Sequence, residues 1–168
     1  MAGSGGQGLS LLGKVLANAA LRSVPHITFF PSYGAEMRGG TSNCQVILSP
    51  VEIPSPVAER FDTMILMNQE SLERFWPARD QRGLALVNST LCRIPRKAAG
   101  TVAVPATREA DTLGDTRVAN LIMLGALIAR QPVVPPADIT DSIRGLLAGK
   151  SPRLIEINLN AFQAGLGL

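Results

Sequence analysis

Apolar residues recur at helical spacing from Leu9 through Leu12, Leu16 and Ala19 or Ala20, which predicts a helix running to about Leu21. Beyond it the apolar stretches shorten. Ile27 to Phe30, Cys44 to Leu48, Thr63 to Met67, Leu84 to Asn88 and Thr101 to Val104 each read as a strand closed by polar residues or proline. Between Asp62 and Pro105 these runs are too continuous for a sheet with one wet face, so a parallel sheet covered on both sides is expected. Asn68, Asn88 and Ser89, at the carboxyl ends of their strands, would then share one rim.

The later pattern is helical. An amphipathic helix follows Asn68-Gln69-Glu70 as far as Trp76, and Thr107 to Leu113 forms another that Gly114 ends. Val118 to Ala129 is apolar on nearly every side, interrupted by Asn120 and Gly125, and a helix of that kind must be covered all round. It is either a central core helix or a contact with another subunit. Asp138 to Ala148 makes a helix after the Pro132 to Pro136 stop, and Asn158 to Gly165 a last short one.

Composition sharpens this picture. The 168 residues suit one domain, 1–168, of which 46% are hydrophobic and only 17% charged. Such a chain has apolar surface to cover, and burial against a partner subunit is the expected outlet. No stretch reaches the roughly 18 uninterrupted apolar residues of a membrane-spanning helix. The amino end carries glycines in place of a basic segment and an apolar run, so a cytoplasmic protein without membrane attachment is expected. A formal net charge of +3 is spread along the chain, with one Trp and one Tyr to stack on bases, which argues against nucleic acid as a partner. Cys44 and Cys92 stand far apart and His26 is the only histidine, so this chain alone cannot ligate an iron–sulfur cluster or a typical zinc ion. Both thiols read as small buried hydrophobes in a reducing compartment. There is no serine elbow, Walker loop or paired carboxylate, and a self-sufficient enzyme is not expected.

Two glycine-rich segments remain. Gly3-Ser4-Gly5-Gly6-Gln7-Gly8 fits G-x-G-x-x-G and opens the first helix, yet only Met1 and Ala2 precede it. No acidic residue follows at about 20 positions to hold a ribose. Gly5, Gly6, Gln7 and Gly8 are therefore read as a strand-to-helix or partner-facing anion nest and not as an NAD site. The second segment, Pro31 to Gly40, gathers Tyr33, Gly34, Glu36, Arg38, Gly39 and Gly40 at the end of an apolar run. That is poor material for a core and good material for a site, with Arg38 suited to an anion; the competing reading is a tight loop in which Glu36 and Arg38 pair.

GSGGQG with its helix, PSYGAEMRGGTSNCQV, FDTMILMNQES, LGDTRVANLIMLGALIA and the terminal NLNAFQAG together resemble the gamma subunit of 2-oxoacid:ferredoxin oxidoreductases, over nearly the whole chain. The resemblance implies an α/β domain, Rossmann-like, with a mostly parallel open sheet and helices on both faces. It departs from the family at the amino end, where members usually carry a strand before the glycines, so the usual first strand is expected to be missing here. It also implies a heteromeric complex with alpha and beta, in some cases delta, subunits that decarboxylates a 2-oxo acid and passes electrons to ferredoxin. Thiamine diphosphate, Mg and iron–sulfur clusters would sit in the partners, coenzyme A would be a co-substrate of the complex, and none of these cofactors would be bound by this chain alone. The family motif falls on Gly5, Gly6, Gln7 and Gly8 and on Tyr33, Gly34, Glu36, Arg38, Gly39 and Gly40, as ligand- or partner-binding rather than catalytic positions. An aryl-pyruvate (indolepyruvate) enzyme, a stand-alone nucleotide-binding module and a purely structural assembly subunit are the alternatives.

Overall fold

The computed structural model describes residues 1–32, 41–94 and 99–168. Its strands are β1 (Ala2–Ser4), β2 (His26–Ser32), β3 (Thr41–Ser49), β4 (Phe61–Leu66), β5 (Arg79–Asn88) and β6 (Thr101–Val104). Six helices, α1 (Leu9–Ala20), α2 (Gln69–Phe75), α3 (Ala106–Thr112), α4 (Ala119–Arg130), α5 (Pro136–Leu146) and α6 (Pro152–Leu166), pack against them. The sheet runs β2-β3-β1-β4-β5-β6. β1, β4, β5 and β6 are mutually parallel, whereas β3 is antiparallel to both β1 and β2.

The two faces of the sheet are unequal. Alternation along β4 sends Ile65 to one face and Met64 and Leu66 to the other, and β5 does the same with Leu86 against Ala85 and Val87. The larger core lies under α1 and α3 to α6, built on Leu12, Leu121, Met123, Ile139 and Phe162. On the opposite face Leu72 of α2, Phe75, Trp76 and Cys92 cover a smaller cluster around Ala2, Met64 and Leu66.

Most predicted elements recur, with informative differences. The first strand is present, in the middle of the sheet, contrary to the expectation that it is missing. Ala-Gly-Ser has neither the length nor the β-branched residues that mark a strand in sequence, and neighbours on both sides hold it in place. β5 starts at Arg79, five residues ahead of the predicted Leu84, on polar residues that give no apolar signal. The last helix is 15 residues long and starts at Pro152, not at Asn158; Ser151 caps it by accepting a hydrogen bond from the Leu154 amide at 3.3 Å.

The apolar helix resolves as a core element. Every residue of α4 from Ala119 to Ile128 is buried. It lies against α6 so closely that a Cβ at Gly125 would overlap the Phe162 carbonyl, and one at Gly165 would overlap the Ile122 carbonyl. Of the two readings of this helix, central core element and subunit contact, the structure shows the first.

Candidate functional site

The first glycine segment forms the turn between β1 and α1, at the carboxyl end of the parallel strands, where α/β proteins place ligands. Two backbone positions require glycine there. Gly6 has φ +89° and Gly8, at the helix N-cap, φ +71°, the left-handed region that side chains disfavour. Gly8 brings no capping side chain, so the first amides of α1 depend on other partners. Gly5 and Gly6 are exposed at the crown of the turn.

Surrounding side chains fix this turn from several directions. The Gln7 side-chain oxygen accepts a hydrogen bond from the Ser4 amide at 2.7 Å, and the Gln7 amide donates to the Ser4 carbonyl at 3.2 Å. Asn68 donates to Ser4 Oγ at 2.5 Å while its own carbonyl oxygen caps α2 by accepting from the Ser71 amide at 3.0 Å. Asn120, 2% exposed on α4, donates to the Gly8 carbonyl at 2.9 Å, and a Cβ on Gly8 would collide with that amide. Asn88, fully buried at the end of β5, donates to the Met67 carbonyl at 3.2 Å and to Thr107 Oγ1 at 2.8 Å and accepts from the Thr107 amide. The predicted rim of Asn68, Asn88 and Ser89 is real, and its two asparagines act as braces, tying strand ends to α2 and α3.

Beside the turn lies a cleft of about 230 Å³ between Gly6, Gln7, Met67, Leu91, Thr107 and Arg117. Arg117 makes a forked ion pair with Asp115, Nε to Oδ1 at 2.9 Å and Nη2 to Oδ2 at 2.6 Å, which holds the Asp115 carboxyl below the usual carboxylate range. Asp115 also accepts the Arg117 amide at the entry to α4.

Tyr33, Gly34, Glu36, Arg38, Gly39 and Gly40 lie outside the described residues. The residues flanking them are placed: Ser32 ends β2 and Thr41 begins β3. Thr41 pairs with Ser4, directly ahead of Gly5, so the second segment rejoins the sheet beside the glycine turn. Arg74 of α2 donates to Thr41 Oγ1 at 2.6 Å. Arg74, Thr107 and Arg117 carry no individual signal in the sequence and become visible only where the topology gathers the strand ends.

Both thiols are held out of chemistry. Burial raises the Cys44 thiol, which donates to the Leu9 carbonyl at 3.2 Å, and pushes Cys92 up to about 11. They sit in cores on opposite faces of the sheet. Among the described residues no group of three or more His, Cys, Asp or Glu gathers to hold a metal.

A mostly parallel sheet that carries a strand, a glycine turn and a helix at its centre defines an α/β domain of Rossmann-like build. The model of the pyruvate ferredoxin/flavodoxin oxidoreductase family matches residues 1–168, and the chain belongs to that family. It is 35% identical over 166 residues to the ketoisovalerate oxidoreductase subunit VorA of Methanothermobacter thermautotrophicus; the match takes in 98% of this chain and 35% of that subunit. The chain thus spans about a third of the length of that relative. The 2-oxoglutarate synthase subunit KorC of Methanothermobacter marburgensis is 32% identical over 98% of this chain and 92% of its own length. Among solved structures, the gamma subunit of a keto/oxoacid ferredoxin oxidoreductase from Geobacter sulfurreducens superimposes with a TM-score of 0.82 at 30% identity, covering 99% of this chain and 94% of that one.

Proposed function

We propose that this chain is the gamma-type domain, 1–168, of a multi-subunit 2-oxoacid:ferredoxin oxidoreductase, contributing a recognition surface to a complex whose redox chemistry resides elsewhere. The observation that carries this reading is the match of the family along the full sequence. The chain's own chemistry agrees with it. With two cysteines buried on opposite faces of the sheet and one histidine, its residues do not fit an iron–sulfur cluster. The complex would decarboxylate a 2-oxo acid, transfer the acyl group to coenzyme A and deliver the two electrons to ferredoxin, with thiamine diphosphate, Mg and the clusters held by alpha, beta and, where present, delta subunits.

Within that assembly Gly5 and Gly6 offer exposed backbone just ahead of a helix whose N-cap, Gly8, brings no side chain, a setting where phosphate oxygens bind favourably. Arg38, three positions ahead of Thr41 in the sequence, would supply a cation. The anion would be coenzyme A or an acidic partner loop. No acidic residue follows the turn at about 20 positions in the sequence to hold a ribose, which disfavours a stand-alone nucleotide module.

The test is reconstitution with the subunits encoded beside it. Addition of this chain to the remaining subunits is expected to restore coenzyme A-dependent reduction of ferredoxin by a 2-oxo acid, while the chain alone turns over none. Full activity without it, or turnover by the pure chain, contradicts the proposal.

A further inference from the structure

A groove between α5 and α6 has no part in the glycine turn or its cleft. It encloses about 520 Å³. α6 turns Asn158, Ala161, Phe162 and Gly165 into the core, and the stripe beside that face, Pro152, Ile155, Glu156, Leu159 and Gln163, forms one bank of the groove. Ile155 and Leu159, one turn apart, are only half-buried against the larger core, so their outer sides give the groove its apolar centre. Thr140 and Arg144 of α5, also one turn apart, form the other bank.

The charges on the two banks are opposite. Arg144 stands on α5 and Glu156 on α6; both are exposed, and neither takes part in an ion pair among the described residues. The carboxylates of α5 itself are occupied, since Asp138 and Asp141 both bind Arg22 at 2.8 Å. A purely acidic or purely basic partner surface would satisfy one of the two free charges and repel the other. A two-fold axis running along the groove satisfies both. It lays α5 of each copy on α6 of the other and brings Arg144 of one beside Glu156 of the second, twice over.

We propose that this groove is a self-association face, and that its occupant is the α5–α6 pair of a second copy of this chain. Ile155 and Leu159 of the two copies meet at the centre, and the two Arg144–Glu156 pairs close the rim. The stripe from Pro152 to Gln163 covers three turns of helix, about 16 Å. With one half-buried apolar pair from each copy, such a contact belongs to the weak class of interfaces, with a dissociation constant of about 10–100 μM. Charge pairs at a rim fix register and partner choice more than they add affinity, and salt screens them. The formal net charge of +3 is too small to hold two copies apart.

Sedimentation equilibrium of the full chain tests this, beside Arg144→Glu, Glu156→Arg and the double reversal. The parent is expected to dimerise in the range given above and to dissociate as salt rises. Each single reversal places like charges together across the two-fold and should weaken dimerisation at least tenfold. The double reversal restores the opposite pairing and should return the constant to within about threefold of the parent. Both side chains are exposed, so all three variants should melt within about 2 °C of the parent. A parent that stays monomeric at about 1 mM, single reversals that leave the constant unchanged, or a double reversal no tighter than the singles overturns the proposal. A monomeric parent whose α5 and α6 gain protection from hydrogen exchange only on addition of other subunits would assign the groove to one of them and overturn it equally.

Discussion

Two sets of glycines do opposite work in this molecule. Gly125 and Gly165 are buried where α4 crosses α6, with no room for a methyl group before the facing backbone. Gly6 sits in the open, with nothing within 4 Å of where a Cβ would be, and is glycine only because its φ is +89°. The first pair converts missing side chains into helix contact and so into stability. Gly6 gives the core nothing, and an exposed, positively twisted backbone at a strand end is where a ligand gains access. Gly125 and Gly165 report helix packing, and Gly6 reports an exposed turn, which the proposed function assigns to recognition.

The largest expected effect comes from the packing pair. Gly165→Val forces α4 and α6 apart and should cost about 3 kcal/mol or more, lowering the melting temperature by roughly 6–12 °C for a chain of this size. A thermal melt within 2 °C of the parent, on a scale where about 1 kcal/mol moves such a domain 2–4 °C, would break the distinction between the two sets. Next comes Asn88→Ala at the buried rim, which strands the Thr107 amide without its side-chain acceptor and should cost about 1–3 kcal/mol in a denaturant titration. The smallest effect belongs to the exposed edge of the cleft. Arg117 depresses the Asp115 carboxyl, so its contribution is fully present above the ordinary carboxylate value and is lost as pH falls through the depressed one. Asp115→Asn should therefore weaken the fold near neutral pH and converge with the parent once pH has fallen through the depressed carboxyl value, as acid-dependent melts would record.

What was legible in the sequence follows the same division. The apolar period of α1, the all-round apolarity of α4 and the continuous run in β4 announce themselves because each reflects how many sides of the element are buried. β1 does not, since three small residues owe their strand conformation to β3 and β4 on either side. The start of α6 hides because its first residues bury nothing fully and the exposed Arg153 and Glu156 interrupt the apolar run, although Ser151-Pro152 is a helix entry signal. In the site, Gly5 to Gly8 are readable as a turn. Asn120 is readable as a satisfied amide, but its partner, the Gly8 carbonyl, is 112 residues away, and only the topology brings α4 to the turn.

The central claim is that the turn serves recognition, and the apparent Michaelis constant for coenzyme A of a reconstituted complex carrying Gly6→Asn tests it most directly. Asparagine tolerates the left-handed conformation, so the turn and the melting temperature should persist while a side chain now blocks close approach. The expected result is a rise of about tenfold or more, equivalent to roughly 1.4 kcal/mol of lost binding, with the melting temperature within about 2 °C of the parent. An unchanged Michaelis constant beside an unchanged melt would contradict the claim and leave the glycine turn as scaffold.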